Sequence, residues 1–260
     1  MGNEERIGDG NSLEEFRFPA PGRIENDWRK WGFLEVILGL VFGHILAAMA
    51  YAIARGVGGY QYFTDFPMWL VAVANFPLQA SMILAVVFAS TYRGGGILKD
   101  FYFRMERKDI GLGILIGVVA QFLLVPVLTY PVLWLFDKDI DDVSNIAEEL
   151  TDRPSSPIGV IALIVFVGVF TPVAEELFFR GLLYGSLRKK LNLTGAKCIW
   201  ASMIISSAVF SLVHFQWILI PALFGVGIVF NLIYEKTGRL GPAIWAHAGF
   251  NGVTLINLLL

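Results

Sequence analysis

The chain has 260 residues, 56% hydrophobic and 16% charged, with a mean hydropathy of +0.64 and a formal net charge of -2. Soluble domains carry about 25% charged residues, so the composition excludes an ordinary soluble domain and identifies a polytopic membrane protein. The near-neutral charge and the lack of Lys/Arg runs interleaved with aromatics exclude a nucleic-acid partner, and the lone Cys198 excludes an internal disulfide and a Cys-rich metal site.

In chain order, residues 1–32 form a polar tail, expected to be cytoplasmic, with no apolar core of a signal peptide. Trp28 and Trp31, beside Arg29 and Lys30, read as an interfacial anchor for the first hydrophobic segment. Residues 33–260 read as one transmembrane helical domain, with hydrophobic segments at 33–54, 68–90, 110–136, 158–187, 196–215, 217–234 and 240–260. Each approaches or exceeds the roughly 20 residues that span a bilayer as helix. Pro126 and Pro131 leave open whether the third segment is one span or a span plus a re-entrant piece. The fold expected is therefore all-α, a transmembrane bundle of seven to eight helices. Between the second and third segments, residues 101–107 read as a short interfacial helix with aromatics toward lipid.

Charge sets an orientation. Arg93, Lys99, Arg104, Arg107 and Lys108 follow the second segment; Arg188, Lys189, Lys190 and Lys197 follow the fourth; Lys236 and Arg239 follow the sixth. All belong on the cytoplasmic side, whereas the connection 137–157, rich in Asp and Glu, belongs outside. Seven crossings with a cytoplasmic N-terminus satisfy these assignments together. The expected location is a cell membrane.

Glu175, Glu176 and Arg180 lie inside the fourth segment. An ionisable group at the centre of a span costs about 2.5–3.5 kcal/mol on insertion scales, so such groups face a protein interior and usually serve a function. Glu176 and Arg180, four residues apart, share a helix face and can pair. Glu175, rotated about 100 degrees away, is left for chemistry. Two of the three His, His214 and His247, fall in late hydrophobic segments, and His247 and Asn251 have the same i, i+4 spacing. A carboxylate in a partly desolvated cavity is a competent general base, and a nearby His can share the proton of a water. His247 and Asn251 can donate to the oxyanion that grows when water attacks a carbonyl. Glu175, His214, His247 and Asn251 thus form a kit for amide hydrolysis, with Glu176 and Arg180 in support and Phe210 and Asn231 as candidate cavity lining. His44, Asn75, Gln79 and Gln121 read as polar cross-links between helices or cavity lining.

Glu175-Glu176-Leu177-Phe178-Phe179-Arg180 resembles the EExxxR motif of the CAAX protease and bacteriocin-processing family, also called Abi, of intramembrane glutamate endopeptidases. This family includes the type II CAAX prenyl endopeptidases. Phe210-Ser211-Leu212-Val213-His214 resembles its FxxxH motif and His247-Ala248-Gly249-Phe250-Asn251 its HxxxN motif, in the same order. The resemblance covers roughly residues 170–260. It implies that Glu175 and His214 activate the attacking water, that His247 and Asn251 form the oxyanion hole, and that Glu176 and Arg180 support the site. No metal or other cofactor is implied; the partners are a peptide or membrane-protein substrate and the lipid bilayer. Two other classes stand beside this one: a zinc protease using Glu175, His214 and His247 as ligands, although the chain lacks His-Glu-x-x-His, and a non-enzymatic transporter, chaperone or immunity factor.

Overall fold

The computed structural model describes residues 31–62, 65–139 and 156–259, the side chain at 258 excepted. The described residues are all-α. The long helices are α1 (Phe33–Gly58), α2 (Met68–Tyr92), α4 (Arg107–Leu135), α5 (Pro157–Lys190), α6 (Gly195–Leu212), α7 (Trp217–Thr237) and α8 (Gly241–Leu259); α3 (Ile97–Asp100) is a single turn. Among the described residues six of them, α1, α2 and α4 to α7, are long and apolar enough to cross a membrane. Many of their large side chains, such as Leu34, Phe42, Val73, Leu115, Phe122 and Ile161, face outward with no protein covering them. The chain is a multi-pass membrane protein. Polar His247, Asn251 and Asn257 dilute the hydropathy of α8, which is 19 residues long and carries no charge.

α5 is the centre of the bundle: α2, α6, α7 and α8 all pack on it, α1 lies against α2, and α4 lies against α7 and α8. Every residue of its stretch Glu176–Tyr184 is buried. The reason is compositional, since the same turns carry the charges that lipid rejects and the aromatics that fill the space around them. Asp109 at the start of α4 lies beside Gly241 at the start of α8, and Gly117 lies against Ala246 and Phe250, so these two helices run parallel. Both start at the same end of the bundle.

That end is the basic one. Arg93 after α2 pairs with Glu35 at the start of α1, Arg188 near the end of α5 pairs with Glu235 of α7 at 3.2 Å, and Arg239 before α8 pairs with Asp109 at 2.6 Å. The connections expected to share one side do share one end. The Asp109 hydrogen bond raises the pKa of Arg239 above its ordinary value, and the hydrogen bond from Lys108 lowers that of Glu106, so the cluster remains charged near neutral pH.

Three expectations change. The third segment is not divided at its prolines: α4 runs from Arg107 to Leu135, and a π turn over Ala120–Leu124 just before Pro126 absorbs the missing amide. Residues 101–106 are not an interfacial helix but an irregular strap. Phe101 is fully buried, and the carbonyls of Tyr102 and Arg104 accept the amides of Leu240 and Gly241 at 3.1 Å, satisfying donors at the start of α8. Trp31 is 2% exposed rather than at a lipid surface, packed on Phe101 with its ring under the Lys189 ammonium. Trp28, the rest of the tail through residue 30 and most of the acidic connection lie outside the described residues.

Candidate active site

The central carboxylates owe their setting to α5's winding. Pro172 has no amide hydrogen, and the turn before it, Phe166–Phe170, is π-wound, with the Thr171 amide bonded to the carbonyl of Phe166. Residue 172 therefore leaves the Val167 carbonyl without its helical donor, and Asn251 of α8 fills the place, with Nδ2 donating to that oxygen at 2.9 Å. Glu175, Glu176 and Arg180 follow within the next turns.

Glu176 and Arg180 pair as their spacing implies, at 2.8 Å and both fully buried. The guanidinium also reaches the Gly227 carbonyl of α7 at 3.5 Å and lies between the rings of Phe210 and Phe230, with Cζ 4.5 and 5.2 Å from their centroids. These are the contacts that a planar, weakly hydrated cation makes well away from water. Arg180 thereby ties α5 to α6 and α7 through one side chain.

The same Glu176 oxygen that takes Arg180 also meets Nδ1 of His247 at 2.9 Å. A nitrogen facing a carboxylate carries its hydrogen, which turns the other nitrogen, Nε2, toward Glu175 Oε2 at 3.9 Å. That distance is too long for a direct hydrogen bond. The other oxygen of Glu175 accepts from Gln79 Nε2 of α2 at 3.1 Å. Spacing alone isolates Glu175 from Glu176; the fold reunites them across one imidazole.

His214 lies in the turn after α6, with its Nδ1 on the Phe210 carbonyl at 2.6 Å. That bond requires the hydrogen on Nδ1 and leaves Nε2 as an acceptor when the ring is neutral. The Phe210 ring stands between the two histidines, its centroid 4.7 Å from His214 and 6.1 Å from His247. Among the described residues no hydrogen bond or ion pair joins His214 to Glu175. Asn231 is fully buried on α7 and donates to Ser207 Oγ at 3.1 Å and to the Gly227 carbonyl at 3.0 Å, so it meets the site only through the carbonyl it shares with Arg180.

Of the other polar residues, His44 bonds the Leu40 carbonyl within α1 and meets the ring of Phe215, next to His214, edge-on. Asn75 joins α2 to Tyr51 of α1. Gln79, read from the sequence as a cross-link or cavity lining, does link α2 to α5, and it does so by holding a site carboxylate. Its one signal was being an amide in a span with no charged residue. No group of three or more His, Cys, Asp or Glu among the described residues is arranged to hold a metal ion, so the zinc set Glu175, His214 and His247 is not assembled.

Residues 157–253, which span α5 to most of α8, match the family described as Type II CAAX prenyl endopeptidase Rce1-like. The membrane-embedded CAAX protease MroQ of Staphylococcus aureus is 34% identical over 97 residues, covering 37% of this chain and 39% of that protein. The putative membrane peptidase YdiL of Bacillus subtilis is 28% identical over 94 residues, 36% of each chain. The UPF0177 protein YxdF of Lactococcus lactis is 31% identical over 97 residues, 36% of this chain and 49% of that protein. The matched stretch thus spans less than half of each relative, and no solved structure matches the chain. It contains the buried glutamates, the arginine between them and α7, both histidines and Asn251, and over it this chain is similar to the Type II CAAX prenyl endopeptidase Rce1-like family.

Proposed function

We propose that this protein is an intramembrane endopeptidase that hydrolyses a peptide bond of a peptide or membrane-protein substrate near the membrane interface. Glu175 and His214 activate the water; His247 and Asn251 stabilise the oxyanion. The observation that carries this reading is the buried Glu175–His247–Glu176–Arg180 cluster inside an otherwise apolar bundle. The similarity of residues 157–253 to a family described as endopeptidases supports hydrolysis as its use.

The water loses a proton to Glu175 or to the acceptor nitrogen of His214, and its oxygen bonds to the scissile carbonyl carbon. Negative charge then collects on the carbonyl oxygen. Asn251 has a second amide hydrogen beyond the one given to Val167, and His247 offers Nε2. To donate there, His247 acts as the imidazolium, with Glu176 on its other nitrogen as the counterion. Collapse of the tetrahedral intermediate breaks the C–N bond, and the proton held by Glu175 or His214 passes to the leaving amine. His247 comes two turns after the start of α8, about 9 Å of rise from the basic end. A site at that depth favours substrates that approach from that face.

The test is comparative mass spectrometry of membrane and released peptides from cells carrying the wild-type or Glu175→Gln protein. New termini that accumulate only with the wild type identify substrate and bond. Identical peptide sets at good membrane coverage would overturn the reading.

A further inference from the structure

Gln79 lies outside the stretch 157–253 that carries the family match, on a helix with no Asp, Glu, Lys, Arg or His in its sequence. It is 5% exposed, and its Nε2 donates to Glu175 Oε1 at 3.1 Å, a contact between residues 96 positions apart. We infer that Gln79 is a positioning residue for hydrolysis, which fixes one oxygen of Glu175 so that the other, Oε2, faces His247 Nε2 and the reacting water. The inference rests on the endopeptidase reading above.

Four observations converge on it. A carboxylate has two equivalent oxygens and rotates freely unless one is held; Gln79 holds Oε1, while Oε2 has no hydrogen bond among the described residues. The other groups facing Glu175 cannot do this work. Glu176 is committed to Arg180 and to His247, and His247 stands 3.9 Å away on the Oε2 side. The donor is also an amide rather than a cation. It orients the carboxylate without the full neutralising charge that Arg180 gives Glu176. α2 also packs on the stretch of α5 that carries Glu175, so the N-terminal half of the chain supplies part of the site's geometry and not only a lipid-facing wall.

A purely structural amide and a positioning amide respond differently to substitution. Gln79→Leu fills the same space but strands Glu175 Oε1, so a lower thermal stability in detergent is expected in either role, and kcat and the carboxylate spectrum separate the two. Positioning predicts that Gln79→Leu, and Gln79→Glu, which keeps the size but loses the amide donor, lower kcat roughly ten- to a hundred-fold, the effect of losing a hydrogen bond to a charged group. KM stays within about twofold, since uniform binding is untouched. Gln79→His, which retains an N–H donor, recovers part of the loss. Infrared difference spectra provide a readout independent of turnover: the carboxylate bands that vanish in Glu175→Gln protein shift in Gln79→Leu protein. Unshifted bands, or a folded Gln79→Leu protein with wild-type kcat, overturn the inference. If wild-type protein cleaves nothing in a Glu175-dependent way, the endopeptidase reading fails, and the infrared shift still decides whether Gln79 sets the carboxylate.

Discussion

At the scale of single residues, adjacent glutamates have different attachments. Glu176 is fully buried and shares one oxygen between Arg180 and His247, whereas Glu175 is held by a neutral amide. Glu175→Gln should therefore cut cleavage by about 10²–10⁴-fold, the usual contribution of a general base, with the unfolding midpoint unchanged. Glu176→Gln strands a guanidinium with no exposure to water, and breaking a buried pair by removing one partner costs about 3–5 kcal/mol. Its expected result is lower thermal stability together with lower activity, because His247 also loses its counterion. Thermal unfolding in detergent and cleavage by the two purified variants check both outcomes; equal stability and equal activity would end the distinction. The Glu176–Arg180 pair was legible from spacing because four residues on a helix define a face. The part played by His247 was not, because residues 71 positions apart meet only through packing. Gln79 was harder still, an amide among several in the first half of the chain with nothing local to set it apart.

At the scale of the helix, α5 combines a local defect with a long-range contact. Pro172 and the π turn before it free the Val167 carbonyl, and Asn251 occupies it. Replacing Pro172 by Ala restores an amide hydrogen that competes for the carbonyls of this turn. An interior Pro costs a helix about 3 kcal/mol relative to Ala, so Pro172→Ala should stabilise α5 while releasing Asn251 from its anchor. The expected outcome is a higher unfolding midpoint with reduced kcat, a separation that few other single substitutions should produce. A variant with wild-type kcat and raised stability would show that the Val167 contact does not position Asn251. The sequence displayed Pro172 plainly, as it did Pro126, but not how each would be absorbed. Both helices widen before the proline rather than break, since neighbouring helices and side chains take up the freed backbone groups. The same reasoning explains the strap at 101–106: its aromatics suggested lipid, yet its carbonyls were needed at the start of α8.

At the scale of the whole molecule, the parallel course of α4 and α8 bears on topology. A Cβ on Gly117 would collide with the Ala246 carbonyl oxygen, so the two backbones meet directly and α8 is held in register along its neighbour. If each long helix crosses once, α4 and α8 are the third and seventh crossings and must run the same way, as they do. The ion pairs of Arg93, Arg188 and Arg239 gather the ends of several helices at one face, and basic connections of that kind belong in the cytoplasm. This orientation is testable with single cysteines in a Cys198→Ser background, since the native thiol is buried on α6 against the Arg188 carbonyl, a contact that a hydroxyl can also make. Lys236 and Tyr62 are exposed at opposite ends, one just before the α7–α8 turn and the other between α1 and α2. With a membrane-impermeant maleimide, Tyr62→Cys should label in intact cells, and Lys236→Cys only after the membrane is opened. The reverse pattern would invert the protein and move the site's nearer face, about 9 Å of helix rise from His247, to the outside; labelling of both in intact cells would place both ends outside and remove a crossing between them.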